Sequence, residues 1–156
     1  MNSSQVTAIR KFTETVAELR EQGIVRSHRY LGDLGEFLCA EVFAIDLTTN
    51  LRQPGLDGWR GELPVQIKYH GGKSTTVDLG DPAHYDEVYV VLGPDSVIRP
   101  DGYVEEFLIY QLSAAQVRKF ASENGNYYCT ERRLPEKPTR CIGLSNTGTH
   151  TAAFDR

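Results

Sequence analysis

Apolar residues recur at spacings of three and four over the first turns of the chain, as Val6, Ile9, Phe12, Val16 and Leu19. That is the period of one helical face. Ser3 or Ser4 is expected to cap this helix and Gly23 to end it, so residues 1–23 predict an N-terminal amphipathic helix. A second helical stretch follows in HRYLGDLGEFLCAEVFAI, with a stripe of Leu31, Leu34, Leu38, Val42 and Ile45 flanked by Tyr30 and Phe37. Few of its positions are charged, which predicts a largely buried helix.

After Asp46 the pattern changes from helical to alternating. Pro54, Gly55, Gly58 and Gly61 divide the chain into short segments, the punctuation of strands and turns. The stretch VQIKYH alternates strictly: Val65, Ile67 and Tyr69 fall on one face, Gln66, Lys68 and His70 on the other. An antiparallel strand with one face in water has this form. The residues RGE at 60–62 predict a tight hairpin turn. Residues 71–85 are expected to form a loop, followed by strands in DEVYVVLG and EEFLIYQL. A helix SAAQVRKFASENG is expected to run from a Ser113/Gln116 capping box to Gly125. Residues 125–156, rich in Pro, Gly and Thr, predict an irregular extension. The order α-α, three strands, two strands, α predicts one α/β domain over 1–156, a central mixed β-sheet flanked by helices.

Composition narrows this picture. The chain has 156 residues and a formal net charge of -4, which argues against a protein that coats nucleic acid through many cationic contacts. It leaves room for a carboxylate-rich metal site, where the ion supplies the positive field. No apolar run is long enough to span a bilayer, and the N-terminus lacks a signal-peptide core, so a cytoplasmic protein with no membrane contact is expected. Cys39, Cys129 and Cys141 are not spaced as a metal knuckle. Cys39 reads as a buried small hydrophobe, and Trp59 as a packing anchor at the hairpin.

Four residues combine into a candidate site. A hairpin around Arg60–Glu62 brings Asp57 near the start of the face that carries Gln66 and Lys68, and Glu36 can approach from the second helix. Two carboxylates, an amide oxygen and an ammonium then converge. Such oxygens suit Mg²⁺ or Mn²⁺, and a lysine beside the ion can orient water or offset phosphate charge. Singly, each has an ordinary reading: Asp57-Gly58 as a turn, Lys68 as a solvated strand residue, Glu36 as a surface carboxylate. On a helical wheel Glu36 groups with Arg29, Asp33 and Ala40, opposite the Leu34/Leu38 stripe.

Taken jointly, Glu36, the GLD ending in Asp57, and the QIK of Gln66 and Lys68 resemble the signature of the PD-(D/E)xK nuclease superfamily, in its Mrr-like QxK form. The resemblance covers roughly residues 29–122 and implies a restriction-endonuclease-like core. Carried over, it makes Asp57 the central metal ligand, Gln66 a second ligand helped by the Ile67 carbonyl, Lys68 the residue that positions the attacking water, and Glu36 the carboxylate completing the metal shell. It implies Mg²⁺- or Mn²⁺-dependent hydrolysis of a DNA phosphodiester. One alternative is a nuclease-fold scaffold that binds DNA or a protein without cutting. Another is an interaction protein of no nuclease ancestry in which VQIKYH is only an amphipathic strand, the reading that Glu36 and Lys68 on opposite sides of the sheet would favour. His70, at the end of the Gln66–Lys68 face, is either a DNA or metal neighbour or a polar strand end. His28 and Arg29, beside Arg26, are candidate phosphate contacts. A single such site cuts one strand at a time, so a homodimer is admitted. Two departures stand out: Gln66 occupies a position that is acidic in many members, and the loop at 71–85 replaces the usual helix.

Overall fold

The computed structural model describes residues 2–50 and 54–144. Its centre is a six-stranded mixed sheet in the order β1-β2-β3-β5-β6-β8. The strands are β1 (Asp46–Leu47), β2 (Gly58–Arg60), β3 (Leu63–His70), β5 (Glu87–Leu92), β6 (Phe107–Ser113) and β8 (Arg140–Ile142). Between β3 and β5 lies β4 (Val77–Asp78), which pairs with β7 (Tyr128–Cys129) as a separate two-stranded sheet. All neighbours in the main sheet are antiparallel except β3 and β5, which run parallel.

That parallel pair explains the segment between them. Parallel neighbours need a crossover of a dozen or more residues, usually a helix. Here residues 71–86 make the crossover without one, through β4, so the expected loop contains a short strand. β4 and β7 close over one face of the sheet, where Val88, Val90, Leu92, Leu108, Tyr110 and Leu112 form a core with Leu79, Val117 and Cys129.

The opposite face is covered by the second helix, α2 (Tyr30–Phe43). Leu38 and Cys39 of α2 pack there against Val65, Ile67, Tyr89, Val91 and Ile109. β3 is therefore covered on both sides. Gln66 is 5% exposed and His70 8%, so the polar face expected to meet water is largely enclosed. The expectation fails because the crossover through β4, with β7, covers the face that Gln66 and His70 share with Val88 and Leu92.

The β2–β3 hairpin forms as expected. Arg60 pairs with Leu63, and the two-residue loop begins with Gly61 at φ 62°, a conformation glycine adopts without penalty.

The helices differ from expectation in instructive ways. α1 (Ser3–Glu21) is capped by Asn2 rather than Ser3 or Ser4, because only Asn2 has Gln5 at the position that completes a reciprocal box. It ends at Gly23, whose φ is 71°. Of its apolar stripe only Val16 is buried, while Ile9 and Phe12 are more than half exposed. Periodicity identified a face but not a partner for it. The third helix, α3 (Ala114–Arg118), has the expected Ser113/Gln116 box but stops at Lys119 instead of continuing to Gly125. The chain turns there so that Ala121 can bridge to Tyr127. The region expected to be irregular supplies β7, a 3₁₀ turn (Glu131–Arg133) and the edge strand β8; residues 145–156 lie outside the described residues.

Candidate functional site

The site forms where β2 peels away from β3. The Asp57 backbone N–H donates to the Val65 carbonyl at 2.9 Å and its carbonyl accepts from the Thr48 N–H at 2.9 Å, which ties the residue to β3 and to the end of β1. Beyond Asp57 the ladder stops, and the carboxylate takes over its role. Oδ2 accepts the Ile67 N–H at 2.7 Å and also a hydrogen bond from the Gln66 amide Nε2. Asp57 is thus fixed against the Gln66–Ile67 segment by β3 itself, through an acceptor oxygen at this place. Gly58 is needed directly after it, since a Cβ there would lie 2.6 Å from the Asp46 carbonyl oxygen.

Glu36 comes to the same corner from α2. It is 8% exposed and paired with Arg26, which also donates to the Thr48 carbonyl at 3.1 Å. This corrects the wheel reading. Asp33 and Glu36 are buried although they lie off the leucine stripe, because the 24–29 turn and the Thr48 segment cover that side of the helix. Asp33 builds the turn, accepting from the backbone N–H groups of Arg26 and Ser27 and from the Ser27 hydroxyl. Arg26, Arg29, Glu36, Thr48, Leu56 and Asp57 line one recess.

The electrostatics of the pair are those of a site short of positive charge. Burial raises the Glu36 pKa, and the neighbouring Asp57 raises it further, against the lowering effect of Arg26. Burial also raises the Asp57 pKa, opposed by the Ile67 N–H, Lys68, Gln66 and Arg29. Two desolvated carboxylates repelling one another are relieved by protonation or by a cation. Cys39 beside them is fully buried; burial and then the two acids push its thiol up, so it is inert packing.

The other predicted residues fall differently. Lys68 is half-buried on the β3 face opposite α2, and its charge acts on Asp57. Glu36, on α2, and Lys68 therefore lie on opposite sides of the sheet rather than converging, and Asp57 at the strand edge is linked to each through charge alone. Arg29 lines the recess; His28 is exposed, with Nδ1 3.4 Å from Arg20. His70 is directed inward, its Nδ1 2.7 Å from the Ser96 hydroxyl and its Nε2 buried without a partner among the described residues. Trp59, expected as a packing anchor, is 43% exposed.

Asp33 and the Glu36-pairing role of Arg26 were not anticipated. The available signal was an acid in the first turn of an otherwise apolar helix whose N-cap, Arg29, offers no side-chain cap.

Oxygens of the kind a hard divalent cation takes are present in the Asp57 and Glu36 carboxylates, the Gln66 amide and the Ile67 carbonyl, but Gln66 turns its amide nitrogen toward Asp57 and Glu36 is paired with Arg26. Among the described residues no three or more His, Cys, Asp or Glu side chains cluster as a metal site, so a cation here would depend on the amide and backbone oxygens. No protein-family model matches the chain, and comparison with curated proteins gives no match.

Proposed function

We propose that this chain is a divalent-metal-dependent nuclease of the PD-(D/E)xK type, acting on DNA from a restriction-endonuclease-like core. The observation that carries the reading is the clamping of Asp57 onto the Gln66–Ile67 segment, with a second buried carboxylate, Glu36, whose pKa is raised by burial and then by Asp57. Asp57, Gln66, Ile67 and Glu36 would hold Mg²⁺ or Mn²⁺. The ion would polarise a phosphate oxygen and acidify a water.

The chain's own residues do the rest. The two β3 donors fix Asp57 in one orientation. The Lys68 ammonium donates to the attacking water or to a phosphate oxygen, offsetting charge as the water oxygen bonds to phosphorus and the ester bond breaks. Arg29, which lines the recess, would meet a phosphate.

A second reading, a scaffold on the same fold that binds without cutting, is favoured by one observation. Arg26 already neutralises Glu36, and Gln66 adds no charge. On that reading Asp57 has no metal to hold.

Lys68→Ala tests the proposal. Cleavage of mixed plasmid and phage DNA with Mn²⁺ is expected to fall by about a hundredfold or more, with unchanged circular dichroism and Mn²⁺ binding. Cutting at the wild-type rate by this variant would remove the mechanism. Absence of Mn²⁺ binding at Asp57 would favour the scaffold.

A further inference from the structure

The exposed tryptophan has a place in this site. β2 pairs with β3 in the register Gly58↔Val65, Trp59↔Pro64 and Arg60↔Leu63. Residues opposite one another in an antiparallel pair share a face. Gly58 and Val65 face α2: a Cβ on Gly58 would meet the Ile45 side chain, and Val65 packs with Leu38 and Cys39. Arg60 faces the same way, paired with Glu87. Trp59 and Pro64 therefore lie on the other face, the one that continues along β3 to Gln66 and Lys68.

Trp59 is the only tryptophan in the chain and is 43% exposed. It sits two residues from Asp57, about 6–7 Å along the strand. Asp46 of β1 pairs with it from the outer side and is itself exposed. An acid beside the indole disfavours a phosphate at that spot but not an uncharged aromatic ring. The indole thus offers a flat apolar surface one nucleotide's reach from the proposed metal ligands, with an anion-repelling neighbour.

We propose that Trp59 is a stacking platform for an unpaired base of the substrate strand, next to the phosphate held at Asp57 and Lys68. The inference rests on the nuclease reading and narrows its substrate class. Bases inside a duplex are already stacked on their neighbours, so the platform serves single-stranded or frayed DNA. Stacking also accommodates the net charge of -4, because it draws affinity from a base face rather than from many phosphate contacts.

As the sole tryptophan, Trp59 reports on itself. Its fluorescence is followed in full-length Lys68→Ala protein with Mn²⁺ present, while a short oligothymidylate, an abasic oligonucleotide of equal length and a blunt duplex are titrated in. The expected result is quenching by oligothymidylate and little by the other two. Anisotropy of labelled oligothymidylate should show binding weakened about tenfold by Trp59→Ala and largely restored by Trp59→Phe. Equal quenching by the abasic strand, no quenching by any strand, or unchanged affinity in Trp59→Ala would overturn the proposal. Failure of the nuclease reading looks different: base-dependent quenching with no Mn²⁺-dependent cutting by the wild type.

Discussion

β3 and β5 lie side by side in the same sheet, parallel and in register from Val65↔Glu87 to His70↔Leu92, yet they bury opposite contents. From Val88 to Leu92 every residue of β5 is 0% exposed, and every one is apolar or, like Tyr89, bonded through its hydroxyl to Glu87 at 2.9 Å. β3 buries Gln66 and His70 almost as deeply. Burying apolar groups stabilises the fold by about 25 cal/mol per Å², whereas burying polar groups costs free energy unless each finds a partner. A chain that needed β3 only for stability would place residues like those of β5 on it. The polar face of β3 instead directs its donors and acceptors to Asp57 and Ser96.

Substitutions can break this contrast in either direction. Leu108→Ala, on the strand beside β5 and 0% exposed, should destabilise the protein by about 2–5 kcal/mol, read from urea denaturation, while leaving the cleavage rate of the folded protein unchanged. A loss below about 1 kcal/mol would mean that the apolar side is not where the stability resides. On the polar side, Arg26→Met leaves the Glu36 carboxylate buried and unpaired, at a cost of about 1–3 kcal/mol. The same variant should bind Mn²⁺ more tightly, because the guanidinium competes with the ion for Glu36. Loss of stability together with weaker Mn²⁺ binding would make the ion pair purely structural.

The contrast also marks what could be read from the residues alone. β5, β6, the β2–β3 hairpin and the Ser113/Gln116 cap were legible because local patterning decides them: continuous apolar runs, a glycine at a tight turn, a reciprocal cap. The meeting of Asp57 with Gln66 followed from the hairpin register, which is local as well. β7, β8 and the early end of α3 depend on pairing between distant segments, which periodicity does not encode. Glu36 was legible only through its motif. Its wheel position pointed to solvent, and its burial comes from the Asp33-built turn before α2. Trp59 failed for the converse reason. An aromatic residue at a hairpin is normally buried, and its exposure follows from a sheet edge only two short strands wide.

The smallest effect, and the sharpest on the polar side, is the pH dependence. Glu36 and Asp57 have folded-state pKa values above their usual ones, so the folded state holds these protons more tightly than the unfolded state does. Without metal, stability should increase as the pH falls through the raised folded values and level off in the usual carboxylate range. Glu87 acts in the opposite sense. Burial would raise its pKa, but Arg60, Tyr89 and Gln111 together hold it low, so its contribution is present above the usual carboxylate range and disappears as the pH falls below it. The two windows lie on either side of that range and can be told apart. Denaturation midpoints in chelator should therefore rise as the pH falls toward the usual carboxylate range and fall in stronger acid. Glu36→Gln should flatten the first limb and leave the second. Saturating Mn²⁺ should invert the first limb, since a cation held by both carboxylates competes with their protons. A first limb unchanged in Glu36→Gln and insensitive to Mn²⁺ would show that the paired acids neither strain the fold nor hold a cation, and the polar face of β3 would then need a different explanation.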